Sequence, residues 1–595
     1  MKKTMDLKPD AREIWKNRGN GLYNMGRFTQ AIAAYDKALE LKPDDSETWY
    51  YRGKALANLG RWEEAIAGYE KAIKYKCDAP KAWNKLGVAL MFVGRLDEAI
   101  AAYDRAIEWE SDFAEAWYNR GVAMGNLGRL DQEFISYNKS LEFKPDYHQA
   151  WYNRGVVLRN LGRLKEALAS YDKALEFKED YYKAWNNRGM ILFSLGKFDE
   201  ALESYHKAVE LKPDYYEAWY NRGVALRQLE KFTEEVASYD KAIASKPDYY
   251  QAWNNRGMAL WNLGRMSDAL AAFDRAIEYK PDYYQAWNNR GNILRNMGRL
   301  EEAIAAFDKA IEYKPESYAA WYNRGVILGN LSRFEEAVAA YNKAIEYKPD
   351  YYPAWYNRGV ILGNLSRFDS AVASFDKAVE LKPEKYEVWY YRGVVLGNLG
   401  RFNEAIASFN KVVEIKPDHD EAFYNLGIAL GNLARFKEAI AAFDKTLEFK
   451  PDKYEAWYYR GMALGNLSRF DEAIASFDKA VESKPEYHEA WYDRGITLGN
   501  LGRFDEAIDS YNKALELKSD LHSAYYLKAR CHAVLGHTDR AIENLEQAIN
   551  LNHQQYREMA KTDADFDSIR SEVRFQTLMQ KSPSEAQDKT ENKAL

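Results

Sequence analysis

The chain has 595 residues, a formal net charge of −6 and 15% aromatic residues, with Tyr 45, Trp 17, Gly 35, Pro 15 and Cys 2. So many aromatics exclude a disordered chain, and the small net charge excludes binding of polyanions through bulk charge. Two cysteines exclude a disulfide framework or a cysteine-rich zinc fold, and no run of about 18 apolar residues is present to insert into a membrane.

Residues 1–11 read as a lead-in. The start MKKTMDLKPD is basic, but no apolar stretch follows, so a cytoplasmic protein without a secretory signal is expected. From Arg12 onward Trp recurs every 34 residues, at 15, 49, 83, 117, 151 and so on to 491, with Phe423 and Tyr525 filling the two gaps in phase. Counting each unit from three residues before the aromatic gives sixteen repeats over 12–555. Within a unit, positions 1–14 and 18–31 read as helices A and B. Gly-Arg or Ser-Arg at 15–16 separates them, and Pro at 32, as in Pro145 and Pro349, ends helix B. Small residues at 8, 20 and 27 let the helices approach, and an aromatic at 24 fills the space beside them.

Trp at 4, Gly at 8, Ala at 20, Tyr or Phe at 24, Ala at 27 and Pro at 32 resemble the tetratricopeptide repeat family over about nine-tenths of the chain. The resemblance implies an all-α, right-handed α-α superhelical solenoid of stacked helix-turn-helix repeats, with helix A lining the concave side. Thirty-two helices spaced roughly 9 Å apart give a contour near 300 Å. Two departures recur: position 7 is Arg in thirteen repeats, and position 11 is mostly Leu. Glu133 and Glu235 replace the small residue at position 20 and are expected to loosen repeats 4 and 7.

At 100° per residue, helix A positions 4, 7, 8, 11 and 14 share a packing face, and positions 2, 5, 6, 9, 12 and 13 lie opposite. The second face is regular where packing does not demand it. Position 6 is Asn in ten repeats, eight of them consecutive: Asn119, Asn153, Asn187, Asn221, Asn255, Asn289, Asn323 and Asn357. Position 13 is Asn in twelve, among them Asn126, Asn160, Asn262, Asn296 and Asn330. Position 5 is Tyr in eleven, among them Tyr118, Tyr152, Tyr322 and Tyr356. A carboxamide pairs with both N–H and C=O of an extended peptide, and Tyr adds apolar area at low entropy cost. The pattern is similar to the asparagine ladders of other peptide-binding helical solenoids. Duplication alone would also copy these residues from repeat to repeat.

Position 12 divides the array. Repeats 5 to 9 carry Arg159, Phe193, Arg227, Trp261 and Arg295, whereas repeats 10 to 15 carry Gly329, Gly363, Gly397, Gly431, Gly465 and Gly499. The first group offers alternating cation and aromatic, with a preference for acidic segments. The glycines either open the groove or fit tight curvature. Arg at position 7 lies on the packing face and needs a partner, for which the acidic residue at 25 is the regular candidate. Arg at 16 is followed by acidic residues at 18 or 19, which argues against a nucleic-acid stripe.

The last repeat holds His522, His532, His537, His553 and Cys531, but the spacings match no ligand pattern, so no metal and no cofactor is expected. No Gly-rich phosphate loop or His-Glu-x-x-His motif appears, and a non-enzymatic protein is expected. Residues 556–581, with Phe566, Ile569, Val573 and Leu578 at helical spacing, read as a capping segment, and 582–595 as a disordered tail. The expected function is a protein-interaction scaffold that binds an extended peptide or partner segment along the concave channel. A spacer that self-associates through its convex face is one alternative. Single-stranded nucleic acid in the channel is another, which the strict 34-residue period disfavours.

Overall fold

The computed structural model describes residues 10–76 and 80–580. The first nine residues, Cys77 and the tail 582–595 lie outside the described residues. The chain divides into two compact units, 1–298 and 299–595, and the division falls between helices A and B of the ninth repeat.

Both units are stacks of antiparallel helix pairs. The first runs from Ala11–Asn24 and Phe28–Leu41 to Tyr284–Asn296, and the second starts at Leu300–Tyr313. From the second repeat on, helix A covers positions 1–13 and helix B positions 17–30, as in Ser46–Asn58 and Trp62–Tyr75. Position 15 ends helix A because its backbone is left-handed, with φ of 70° at Gly128 and 72° at Gly162. The next amide then reaches back five residues, as Arg163 N–H does to Leu158 C=O at 2.9 Å.

Five repeats place a residue other than Gly at this left-handed position: Glu230, Ser332, Ser366, Ala434 and Ser468, with φ of 56–58°. A Cβ costs about 1 kcal/mol there. Replacing Ser332, Ser366, Ala434 and Ser468 together by Gly will therefore raise the thermal midpoint of the second unit, by up to about 1 kcal/mol of stability per site. Thermal unfolding followed by circular dichroism checks this.

The two helices of a pair touch through Gly at 8. A Cβ on Gly121 would lie 2.6 Å from the Tyr137 ring, and one on Gly359 2.7 Å from the Phe375 ring. Positions 3 and 10 complete the buried face, as Ala116, Ala123, Ala150 and Val157 show with no exposed surface. Trp at position 4 is a correction to the sequence reading. It is half-buried rather than core, and its indole N–H caps the preceding turn, Trp151 to Pro145 C=O at 2.7 Å and Trp355 to Pro349 C=O at 2.9 Å.

The position-7 arginines clamp consecutive repeats. Arg188 donates to Asp172, at position 25 of the preceding repeat, and to Ser204 of its own, both at 2.7 Å. Arg392 repeats this with Asp376 and Ser408 at 2.7 Å. The guanidinium also stacks over the position-4 indole, 5.6 Å from the ring centre for Arg188 and Trp185. Charge, hydrogen bonds and aromatic area of these arginines are thus spent inside the stack.

After Thr538–Leu551 come a short helix, His553–Thr562, a 3-10 turn, Ala564–Ile569, and a last helix, Val573–Gln580. Phe566, Ile569, Phe575 and Leu578 are at most 5% exposed and pack in one cluster with Leu545 and Ile549 of the last helix B. Tyr526 O–H donates to Asp563 at 2.8 Å, and Arg530 donates to Asp565 at 2.7 Å.

Candidate partner-binding face

The face opposite the packing side of helix A carries the candidate binding residues at positions 5, 6, 12 and 13. Packing leaves it to positions 2, 5, 6, 9, 12 and 13, which are half-buried or exposed in most repeats.

In the first unit the position-6 amides are engaged with their neighbours. Each donates to the position-5 side chain of the preceding repeat. Asn153 and Asn187 reach the hydroxyls of Tyr118 and Tyr152 at 3.2 and 3.0 Å. Asn119, Asn221 and Asn289 reach the amide oxygens of Asn84, Asn186 and Asn254 at 2.9, 3.0 and 2.9 Å. Asn255 reaches Tyr220 O–H at 3.0 Å. In the second unit Asn357 does the same with Tyr322 at 3.1 Å, and Asn323 is half-buried on the same face. Where repeat 15 has Asp493 at this position, the direction reverses and Tyr458 donates at 2.8 Å. The row is therefore an inter-repeat stitch that engages one N–H of each of these first-unit amides, whereas Asn425 in the second unit donates both to Tyr390 at 3.2 Å and to the Glu421 carbonyl at 2.9 Å. An Asn→Ala change here is not neutral, as a free surface position would be, because it removes a hydrogen bond worth about 1 kcal/mol.

The Tyr side chains at position 5 stack inward as well as outward. Tyr118 and Tyr152 lie 4.8 and 4.9 Å, centre to centre, from Tyr147 and Tyr181, and Tyr356 lies 6.2 Å from Phe375. By contrast, the position-13 amides Asn126, Asn160, Asn262, Asn296 and Asn330 are exposed.

Position 12 differs from the sequence reading at Arg227. Its guanidinium donates at 2.7 Å to Glu235, which is wholly buried, and at 3.1 Å to the Asn255 carbonyl, so it does not offer a free charge to a partner. Burial, only partly offset by Arg227, pushes the Glu235 carboxyl above its usual range. Arg159 has no carboxylate within ion-pair distance among the described residues, and its nearest polar neighbour is the Met190 sulfur at 4.0 Å. Arg295 is half-buried, and Trp261 packs beside the Phe273 cluster.

Three of the six position-12 glycines of repeats 10 to 15 are not demanded by packing, whereas a Cβ on Gly329 would stand 3.1 Å from the Ile361 side chain. A Cβ on Gly397, Gly431 or Gly465 would meet no atom within 4 Å, and none of the three has positive φ. Clefts of about 350 Å³ and 410 Å³ open beside Gly329 and Gly431. Their walls are neutral: Val326, Val360 and Asn330 in one, Ile428, Met462 and Asn432 in the other.

The sequence reading singled out the two position-20 carboxylates but not the residues that lie against them. Glu235 lies under Arg227, and the Glu133 carboxylate fills the space next to Gly125, where a Cβ would come within 2.8 Å of it. Neither repeat is loosened. In repeat 7 position 12 answers position 20 with a cation, and the coincidence of Glu235 with Arg227 was the available signal. In the last repeat, His532 is buried, and desolvation together with Lys528, His537 and Arg540 lowers its pKa to about 4. No group of three or more His, Cys, Asp or Glu that could hold a metal occurs among the described residues.

Stacked helix pairs with an uncommitted face on helix A define a helical-repeat protein of the interaction type. The tetratricopeptide repeat profiles match residues 16–82, 236–362, 356–420 and 424–554 in overlapping segments, with further matches at 93–128, 148–181, 182–215 and 216–249. The chain belongs to the tetratricopeptide repeat family. Residues 130–161 also match the protein prenyltransferase alpha subunit repeat, across helix B of repeat 4 and helix A of repeat 5. No curated protein matches the chain. Among solved structures it is similar to YrrB, a TPR protein with an unusual peptide-binding site, at 29% identity and a TM-score of 0.30, covering 31% of this chain and 96% of that one. A tetratricopeptide repeat protein from Parabacteroides merdae is 21% identical with a TM-score of 0.33, covering 42% of this chain and 98% of its own. The Cut9–Hcn1 assembly of the APC/C is 14% identical with a TM-score of 0.31, over 76% and 97%.

Family membership makes the chain a protein-interaction scaffold in the general sense. The family's repeats are typically non-catalytic and bind other proteins or peptides. No helix among the described residues is long and apolar enough to cross a membrane.

Proposed function

We propose that the helix A face holds an extended segment of a partner protein, contacted by the exposed position-13 amides, the position-6 row, and the Tyr and Arg side chains beside them. The observation that carries this reading is the row of position-12 glycines. A glycine inside a helix costs up to about 1 kcal/mol against Ala. At Gly397, Gly431 and Gly465 neither backbone conformation nor a neighbouring atom calls for it. Open space beside neutral walls accommodates a ligand. An extended chain gains about 3.3 Å per residue, so roughly three residues pass each repeat at a helix spacing near 10 Å.

Asn330, Asn364, Asn398 and Asn500 provide the test, since all four are exposed and an exposed Asn→Ala in a helix is neutral to stabilising. Peptides from a digested extract of the source cell, retained on the immobilised full chain, identify the ligand. The fourfold Asn→Ala variant should bind the retained peptides about a hundredfold to a thousandfold more weakly, at about 1 kcal/mol per hydrogen bond. Unchanged affinity would remove the amides from the binding face.

A further inference from the structure

Repeats 4 and 7 share an unusual residue and differ in what covers it. Position 20 is Ala in the other fourteen repeats and Glu in these two. In repeat 7 the carboxylate of Glu235 is met from position 12 by Arg227, whose Nε and Nη2 both lie 2.7 Å from Oε1. In repeat 4 the carboxylate of Glu133 has the same place but position 12 is Gly125. Glu133 is only 9% exposed, and no Lys, Arg or His nitrogen lies within ion-pair distance of it among the described residues. The arginine on the same helix cannot serve, because Arg120 is held by Asp104 and Ser136 at 2.6 and 2.8 Å. Burial raises the Glu133 carboxyl above its usual range, opposed in part by the Tyr137 hydroxyl and by no nearby cation.

The carboxylate is aimed at the partner-binding face. A Cβ built on Gly125 would stand 2.8 Å from Glu133 Cδ and Oε1 and 3.0 Å from Oε2. Gly125 is itself half-exposed and holds the position that Arg227 occupies in repeat 7.

We propose that repeat 4 carries a binding site for one arginine side chain of a partner segment, with Glu133 as its counter-charge and Gly125 as its entrance. The partner's guanidinium supplies in repeat 4 what Arg227 supplies within the chain in repeat 7. Guanidinium is the cation of choice because its planar fork meets a carboxylate with two N–H groups and loses less hydration than an ammonium. The identity of the ligand as a partner side chain rests on the reading of the helix A face as a peptide-binding surface. The capacity of the site to hold a guanidinium does not.

Two measurements on the full chain separate these claims. Gly125→Arg recreates the repeat 7 pair inside repeat 4, and the atoms it displaces are the mobile end of Glu133. It should raise the thermal midpoint in the native background but not in Glu133→Gln. An equal shift in both backgrounds, or a fall in the native one, overturns the site. The second measurement uses two fluorescein-labelled 15-residue peptides of Ala, Ser and Thr, one with a central Arg and one with citrulline there. The Arg peptide should bind about tenfold more tightly to the native chain, the worth of one charge-assisted contact. The ratio should fall to near one with Glu133→Gln and with Gly125→Arg. Equal binding of the two peptides to the native chain overturns the arginine assignment. Binding of neither overturns the peptide-surface reading, and with it the partner side chain as ligand.

Discussion

Replacing Arg227 by Ala will destabilise the first unit by about 3–5 kcal/mol at pH 7, the largest effect of any single substitution on the helix A face. The cause is not the lost ion pair itself but the wholly buried Glu235 carboxylate that it strands, one of whose oxygens already lacks a partner. The loss will depend on pH with a definite sign. Without Arg227 the folded-state pKa of Glu235 rises further above the unfolded value near 4.5, so the folded state binds the proton more tightly than the unfolded state does. Stability then falls as pH rises above 4.5, and the defect shrinks when the pH is brought down to that value. Arg227→Gly with Glu235→Ala gives repeat 7 the residues that repeats 10 to 15 carry at both positions and should recover most of the loss. Thermal unfolding of the single and double variants at pH 4.5 and pH 7 checks this.

Truncation after Gln555 will melt the end of the second unit. It removes Phe566, Ile569, Phe575 and Leu578, each nearly fully buried, and bares Leu545 and Ile549. At about 1.5–3 kcal/mol per large apolar side chain the lost burial is several kcal/mol, more than one terminal repeat can spare. The hydrogen bonds of Tyr526 and Arg530 to Asp563 and Asp565 go with it. The expected result is a new low-temperature unfolding step and self-association at the exposed end. Calorimetry and light scattering on the truncated chain detect both, and an equally stable monomer would show that the last repeat needs no cover.

The helix pairs were legible because their causes repeat. The 34-residue spacing, the small residues at 8, 20 and 27 and the acidic residue at 25 recur in most copies, so even the pairing of Arg at 7 with position 25 followed from which regular residue could answer it. Features that depend on the contact between copies were less legible. The angular position of Asn at 6 on a single helix says that it points away from the core. It says nothing of the Tyr or Asn at position 5 on the preceding helix A, which takes one of its protons. Trp at 4 was placed on the packing face by its angle on the helix, whereas the turn carbonyl at position 32 draws its indole N–H to the rim. Glu133 and Glu235 stood out in the sequence, but each was weighed against its own position alone. The answering residue lies at position 12, across the contact between helices A and B, so only the two departures taken together reveal the pair in repeat 7 and the open place in repeat 4.

The position-12 glycines give the most direct test of the helix A face as a binding surface. Changing Gly397, Gly431 and Gly465 together to Leu places side chains where a Cβ meets no atom, and Gly→Leu within a helix favours the fold. The measurement is quantitative co-purification from the source cell with the native chain and with this variant, after thermal unfolding has shown the variant to be at least as stable. Loss of the native chain's partners from the variant by about tenfold or more, the change that 1.4 kcal/mol of binding energy produces, is the expected result. Recovery of the same partners in the same amounts by both would contradict binding along this face.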